Sequence, residues 1–149
     1  MSPGKEYITS AIKRLKYYKE LGDKTFDQLP NEEDLYFRPN EESNSIAMII
    51  QHMAGNMISR WTDLLTTDGE KEWRDRDLEF ESRGFSRSQL LDHWEKGWEC
   101  CLGSLERLSE EDLLKTIHIR GKPCLWSMPS TGNWRIIPTM SGRSSAWPK

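Results

Sequence analysis

Three histidines are the residues of this sequence best suited to bind a metal ion or move a proton near neutral pH. They are His52, His93 and His118, and no two of them stand four residues apart. A four-residue spacing on a helix would place two imidazoles on one face, where both could bind the same metal ion. By its residues alone, His52 fits an ordinary, partly buried histidine better than a metal ligand.

His52 nevertheless has polar neighbours that suit the edge of a cleft. It lies at the flank of an apolar helical stripe, and Asn56 and Arg60 follow it at four-residue steps. We therefore take Asn56 and Arg60 as candidate substrate-binding residues.

The polar stretch from residue 66 to residue 84 has no helical period and is too long for a plain linker. Its Trp73, Arg74 and Arg76 could line an entrance and hold an anionic substrate. The alternative is that they are solvated loop residues. Long polar loops often carry function, so both interpretations stay open.

The three cysteines, Cys100, Cys101 and Cys124, form no C-x-x-C motif. Cys101 falls on an apolar helical stripe, which indicates a buried structural thiol rather than a nucleophile.

Composition excludes several classes of protein. The 149 residues suffice for one domain, and the net charge of −3, with basic and acidic residues interleaved, argues against a nucleic-acid partner. No apolar run approaches the roughly 20 residues of a membrane span. Since the N-terminus also lacks the apolar core of a secretory signal, we expect a cytoplasmic protein without a membrane partner.

Hydrophobic periodicity predicts an all-α fold with three long helices. The first runs from Lys5 to about Leu21, with Gly22 as a plausible stop, although Phe26 and Leu29 continue its apolar face. The second begins at a cap among residues 43–45, and its stripe consists of Ile46, Ile49, Ile50, Met53, Met57, Trp61 and Leu64. The third begins at a capping box of Ser86 and Gln89, and its seam consists of Leu91, Trp94, Trp98, Cys101, Leu105 and Leu108.

The segment NSIAMIIQHMAGNMISRWTDLLTTDGEKEWRDRDLEFE resembles the second helix and following loop of the DinB-like superfamily, in its branch of small uncharacterised bacterial proteins. The acidic EEDL turns and the helix DHWEKGWE fit the same pattern, so the resemblance covers residues 5–123. It implies an up-down-down-up four-helix bundle. In many members, three histidines bind a divalent metal: one lies on the second helix, and two lie four residues apart on the fourth.

Under this resemblance His52 is the second-helix ligand, and zinc or nickel is the implied metal. Characterised relatives include transferases and isomerases that use a low-molecular-weight thiol, whose pKa the metal lowers. The other two histidines are missing here. We therefore expect the metal site to be incomplete and the metal to be absent or weakly bound.

The last residues suggest why they are missing. Residues 124–149 contain Pro129 and Pro138 and no helical period. When these residues are back-translated and the reading frame is shifted by one base, each new codon spans the junction between two neighbouring residues. The shifted frame permits an amphipathic helix with an H-x-x-x-H pair, whose histidine codons span the junctions 135–136 and 139–140. The shifted frame must encode leucine at junction 133–134 and alanine at junction 128–129, and both agree with that helix.

We therefore divide the chain into a bundle, residues 1–123, and a frameshifted tail, residues 124–149, which leaves the fourth helix disrupted or irregular. A genuinely divergent tail and a sequencing error are the alternatives. Without its fourth helix, the bundle could instead serve as a non-catalytic interaction module or homodimer with an exposed groove.

Overall fold

The computed structural model describes residues 1–125, which form a helical bundle with a small β-hairpin. The α-helices are α1 (Pro3–Asp27), α2 (Glu32–Tyr36), α3 (Ile46–Trp61) and α4 (Arg87–Glu106). Single 3₁₀ turns form at Leu78–Phe80 and Glu111–Leu114, and the strands are β1 (Thr116–Ile119) and β2 (Lys122–Leu125). The predicted all-α bundle with three long helices is confirmed. The predictions for the fourth helix and the tail lie almost entirely beyond residue 125.

Serine side chains begin all three long helices by accepting a backbone N–H of the first turn. Ser2 caps α1, Ser45 caps α3, and Ser86 forms the predicted capping box with Gln89 at α4. The helix α1 does not stop at Gly22 but continues to Asp27. The indole of Trp94 packs against Gly22, so the missing side chain serves helix packing rather than helix termination.

The helices α3 and α4 pack side by side and run parallel. A Cβ atom on Gly97 would lie 2.9 Å from Cα of Ala54, which shows how closely the two backbones approach. Further along both helices, Ser104 Oγ donates to the carbonyl oxygen of Trp61 at 2.9 Å. The parallel arrangement agrees with the order expected for an up-down-down-up bundle.

The helix α1 runs antiparallel to α4. Its N-terminal Gly4 lies against Glu110, just beyond the end of α4, whereas the carbonyl oxygen of Phe26, near its C-terminus, accepts from Arg87 at 2.9 Å. Trp94 joins the two helices, since its Nε1 donates to Asp23 at 2.8 Å. Helix α4 is therefore the central element of the described bundle.

The buried core differs from the predicted stripes on both α3 and α4. Leu90 rather than Leu91 is fully buried on α4, and Ile49 on α3 is 40% exposed. Ile50, Met57 and Trp61 of the predicted α3 stripe are buried, and Ala47, Met48 and Ala54 are buried in addition. Small Ala54 and Gly97 let α3 and α4 approach closely, so the contact between the two helices includes small as well as large side chains.

Candidate functional site

The connection from residue 62 to residue 86 runs back along α3, from its C-terminus to its N-terminus. Near the end of α3, Ser59 Oγ donates to the carbonyl oxygen of Gly69 at 2.7 Å and accepts from the backbone N–H of Lys71. Near its start, Gln51 Nε2 donates to the carbonyl oxygens of Glu79 and Glu81, each at 3.0 Å. One side of α3 is therefore covered by this polar loop.

Glu79 is held inside that interface. Its side chain is only 10% exposed and lies against Gly55, where no Cβ atom stands in the way. Both carboxylate oxygens accept from Arg74, Oε1 from Nε at 2.8 Å and Oε2 from Nη2 at 2.9 Å. Arg74 is itself 2% exposed, so this is a buried, bidentate ion pair.

His52 completes the arrangement, because its Nδ1 lies 2.8 Å from Oε2 of Glu79. The imidazole also packs against the ring of Phe80, with 4.7 Å between ring centroids. The ring orientation of His52 is thus set by one carboxylate and one aromatic side chain.

Electrostatics determine which nitrogen of His52 carries the proton. Burial alone would raise the pKa of Glu79, but the hydrogen bonds from His52 and Arg74 and the charge of Arg74 lower it below its ordinary value. An ionised carboxylate can only accept hydrogen bonds, so Nδ1 of His52 must donate. In the neutral ring, Nε2 is therefore left with its lone pair.

Glu70 extends this chain of charges towards the end of α3. Its carboxylate lies among three guanidinium groups, from Arg74 at 3.8 Å, Arg60 at 3.3 Å and Arg120 at 3.3 Å. We call His52, Glu79, Arg74, Glu70 and Arg60 the charged row. It joins one face of α3 to the long connection.

Asp68 ties the same connection to the β-hairpin. Its carboxylate accepts from the backbone N–H groups of Glu70, Arg120 and Gly121 at 2.7–2.8 Å. These bonds lower the pKa of Asp68 to about 2. Arg120 and Gly121 form the turn of the hairpin with positive φ angles, so Asp68 stabilises that turn directly.

The structure brings together only some of the residues singled out in the sequence. His52, Arg60 and Arg74 belong to the charged row, and Asn56 is buried one turn beyond His52. Trp73 is 61% exposed, and Arg76 is also exposed. His93 packs against Phe85, and His118 is exposed on β1.

The described residues offer an incomplete set of metal ligands. Within residues 1–125, no group of three histidine, cysteine, aspartate or glutamate side chains is placed to hold a metal ion. The carboxylate nearest to His52 belongs to Glu79, and both of its oxygens already accept from Arg74. His52 is therefore a single oriented imidazole in this part of the chain, and a three-ligand site would need donors from elsewhere.

Comparison with known proteins assigns the family. A family model described as a protein of unknown function, DUF1572, matches residues 2–126. The chain belongs to the DUF1572 family. DUF1572 proteins are DinB-like helical proteins, so the resemblance noted in the sequence is confirmed. No curated protein and no solved structure matches the chain.

In this DUF1572 protein, no helix among the described residues has the length and apolar character needed to cross a membrane.

Several site residues carry no recognisable signal in the sequence. In the sequence, nothing distinguishes Glu79 from Glu72 or Glu81, which lie in the same polar stretch. Only the folded connection shows that Glu79 is the one that pairs with His52. Gly55 was a usable clue, because a glycine inside a helix often marks a close approach of another group.

Proposed function

We propose that this protein descends from a divalent-metal-dependent enzyme and that His52 is a retained ligand of an otherwise incomplete site. The observation that carries the proposal is the contact of His52 with Glu79, which is itself clamped by Arg74. Metal-binding histidines commonly donate their second ring N–H to a carboxylate, which fixes the ring and raises its basicity. The arrangement here leaves Nε2 available as a donor to a metal.

The ancestral reaction that we propose is a transfer or isomerisation that uses a low-molecular-weight thiol, and zinc or nickel is the proposed metal. Because residues 1–125 supply one suitable ligand, we propose that this chain binds the metal weakly or not at all. Substrate binding is assigned to the polar residues near His52. Arg60 and Arg74 are supported by their place in the charged row, whereas Asn56, Trp73 and Arg76 remain predictions.

Metal titration of the purified full-length chain tests this proposal. Zn²⁺ and Ni²⁺ binding are measured by calorimetry, and the metal that co-purifies is measured by elemental analysis. We expect far less than one metal ion per chain after purification, and weak binding of added metal that is lost in His52→Ala. His118→Ala is the matched control, because it removes an exposed imidazole that lies outside the charged row.

Two outcomes would contradict separate parts of the proposal. One tightly bound metal ion per chain would show that the site is complete. Weak metal binding that His118→Ala abolishes and His52→Ala leaves intact would remove His52 as the ligand.

The incomplete-site proposal requires that the tail is translated as it stands in this sequence. The mass of the expressed protein should then match the 17.5 kDa of the sequence. A mass that fits the shifted frame would instead return two histidines to the chain, and the incomplete-site proposal would be wrong.

A second candidate function is a non-catalytic interaction module or homodimer. Its support is the outer surface of α1, where Tyr17, Tyr18 and Leu21 are exposed large side chains. Light scattering distinguishes the two candidates. A concentration-dependent dimer that forms without metal favours the module, and a monomer at all concentrations excludes the homodimer.

A further inference from the structure

Three guanidinium groups surround Glu70 at distances longer than an ordinary charge-assisted hydrogen bond, and of the three only Arg120 donates a hydrogen bond to it. Arg60 Nη2 and Arg120 Nε lie 3.3 Å from its Oε2, and Arg74 Nη1 lies 3.8 Å from its Oε1. Charge-assisted N–H···O bonds are ordinarily about 2.7–2.9 Å long, as between Arg74 and Glu79. The Glu70 carboxylate therefore lies farther from its three guanidinium groups than the Glu79 carboxylate lies from Arg74.

Two hydrogen-bond donors of Arg60, Nε and Nη1, are buried and have no partner within residues 1–125. Burial lowers the pKa of Arg60, the charge of Glu70 opposes that shift, and the charges of Arg74 and Arg120 add to it. A buried donor without a partner is costly, so an acceptor that also reached Nε or Nη1 of Arg60 would be favourable.

We propose that Arg60, Arg74 and Arg120 form a binding site for the oxyanion of a small molecule, either a carboxylate or a phosphate. In the structure described here, the carboxylate of Glu70 occupies the place of that oxyanion. The three arginines come from α3, the long connection and the β-hairpin, so the ligand would join three separate elements. Glu70 is about a quarter exposed and Arg120 about half exposed, which leaves the cluster open to solvent on the hairpin side.

This site lies next to His52 through Arg74. The same guanidinium contacts Glu70 through Nη1 and clamps Glu79, the partner of His52, through Nε and Nη2. The inference rests on the proposed function for its meaning, because it names the substrate class of that site. Anion binding itself requires no metal at His52.

Anion titration of the full-length chain tests the inference. Sodium phosphate and sodium succinate are titrated at constant ionic strength and followed by calorimetry. Glu70→Gln removes the internal anion and keeps the size of the side chain. Since an occupied site lowers the apparent affinity for its ligand, we expect this variant to bind at least one of the two anions about tenfold more tightly.

Glu72→Gln is the matched control. It makes the same change of charge two residues away, on an exposed side chain of the same connection. We expect Arg120→Gln to weaken anion binding several-fold, both in the natural chain and together with Glu70→Gln. The anion that gains more affinity in Glu70→Gln identifies the ligand as a phosphate or a carboxylate.

The outcomes separate this inference from the metal proposal. His52→Ala should abolish metal binding, whereas the gain in anion affinity from Glu70→Gln and the loss from Arg120→Gln should persist in the His52→Ala background. If Glu70→Gln binds both anions no more tightly than Glu72→Gln, or if Arg120→Gln has no effect, the arginine site is wrong whatever His52 does. Should Glu70→Gln not fold, the comparison of the natural chain with Arg120→Gln decides alone, because Arg120 lies in an exposed turn.

Discussion

The carboxylate of Glu79 lies so close to Gly55 that a Cβ atom at position 55 would overlap Oε1. We therefore expect Gly55→Ala to displace Glu79 from His52 and Arg74. Overpacking of this kind costs about 1–3 kcal/mol, which outweighs the roughly 1 kcal/mol that alanine gains in a helix. The free energy of unfolding, measured by urea denaturation, should fall.

Gly103→Ala is the control, because it makes the same substitution inside α4. The nearest atom to its added Cβ would be Arg107 Nη1, at an ordinary 3.6 Å. We expect this variant to be as stable as the natural chain or more stable. An equal gain in stability for both variants would contradict the tight placement of Glu79.

The ionisation of Asp68 should make the free energy of unfolding depend on pH in the acid range. Its pKa in the folded chain is about 2, below the ordinary value of 3.8, because backbone N–H groups stabilise its charged form. A lowered pKa stabilises the folded state above the ordinary pKa, and this stabilisation is lost as the pH falls from about 3.8 towards 2. Asp68→Asn should therefore lose less stability than the natural chain between pH 5 and pH 2.

The same substitution should also release the hairpin turn. The amides of Arg120 and Gly121 should exchange with solvent faster in Asp68→Asn at neutral pH. Asp92→Asn, on an exposed position of α4, provides the comparison. Unchanged exchange at both amides would show that Asp68 does not secure the turn.

Two neighbouring tryptophans of α4 should respond differently to the same substitution. Trp94 Nε1 donates to Asp23 at 2.8 Å, whereas Nε1 of Trp98 is buried without a partner in residues 1–125. Both changes to phenylalanine remove the same volume, but only Trp94→Phe loses a hydrogen bond to a charged group. It should cost about 1.5–3 kcal/mol more than Trp98→Phe in thermal or urea unfolding. Equal losses would contradict this difference in hydrogen bonding.

The cysteines should differ in their reaction with iodoacetamide. Burial, the larger cause, and the neighbouring Cys100 raise the pKa of Cys101 to about 12. Because the thiolate is the reacting species, Cys101 should stay unmodified in the native protein while the half-buried Cys100 and Cys124 react. Mass spectrometry of the digested protein measures this, and in urea all three should react. Native modification of Cys101 at the rate of Cys100 would contradict its burial.

The sequence was sufficient for elements whose signals are local. The capping box at Ser86 and Gln89 depends only on near neighbours and was confirmed, and four residues of the predicted α4 seam are buried: Trp94, Trp98, Cys101 and Leu105. Buried faces were less predictable, because Leu90 is fully buried whereas Leu91 is only partly buried, and Ala54 meets Gly97 of the neighbouring helix at a close contact. Periodicity describes one helix, whereas burial at these positions depends on how two helices pack.

The candidate site was likewise predictable only in part. His52, Arg60 and Arg74 could be singled out because their residue types suit metal and anion chemistry. Glu79 could not, because its role depends on how the long connection folds back over Gly55. Glu70 and Arg120 are separated by 50 residues in the chain and come together only when the hairpin packs against that connection.

Because α3 and α4 run parallel, the connection between them must span the length of a helix, and this sets how far the connection could be shortened. The 16 residues of α3 span about 24 Å, and an extended chain covers that distance in about seven residues. The connection from residue 62 to residue 86 is several times longer than this minimum. Deletions could therefore shorten it without preventing the helices from pairing, and the surplus length is what carries Glu70, Arg74 and Glu79. Evolution can thus rebuild the chemistry of this surface by insertion and deletion while the helical core stays the same.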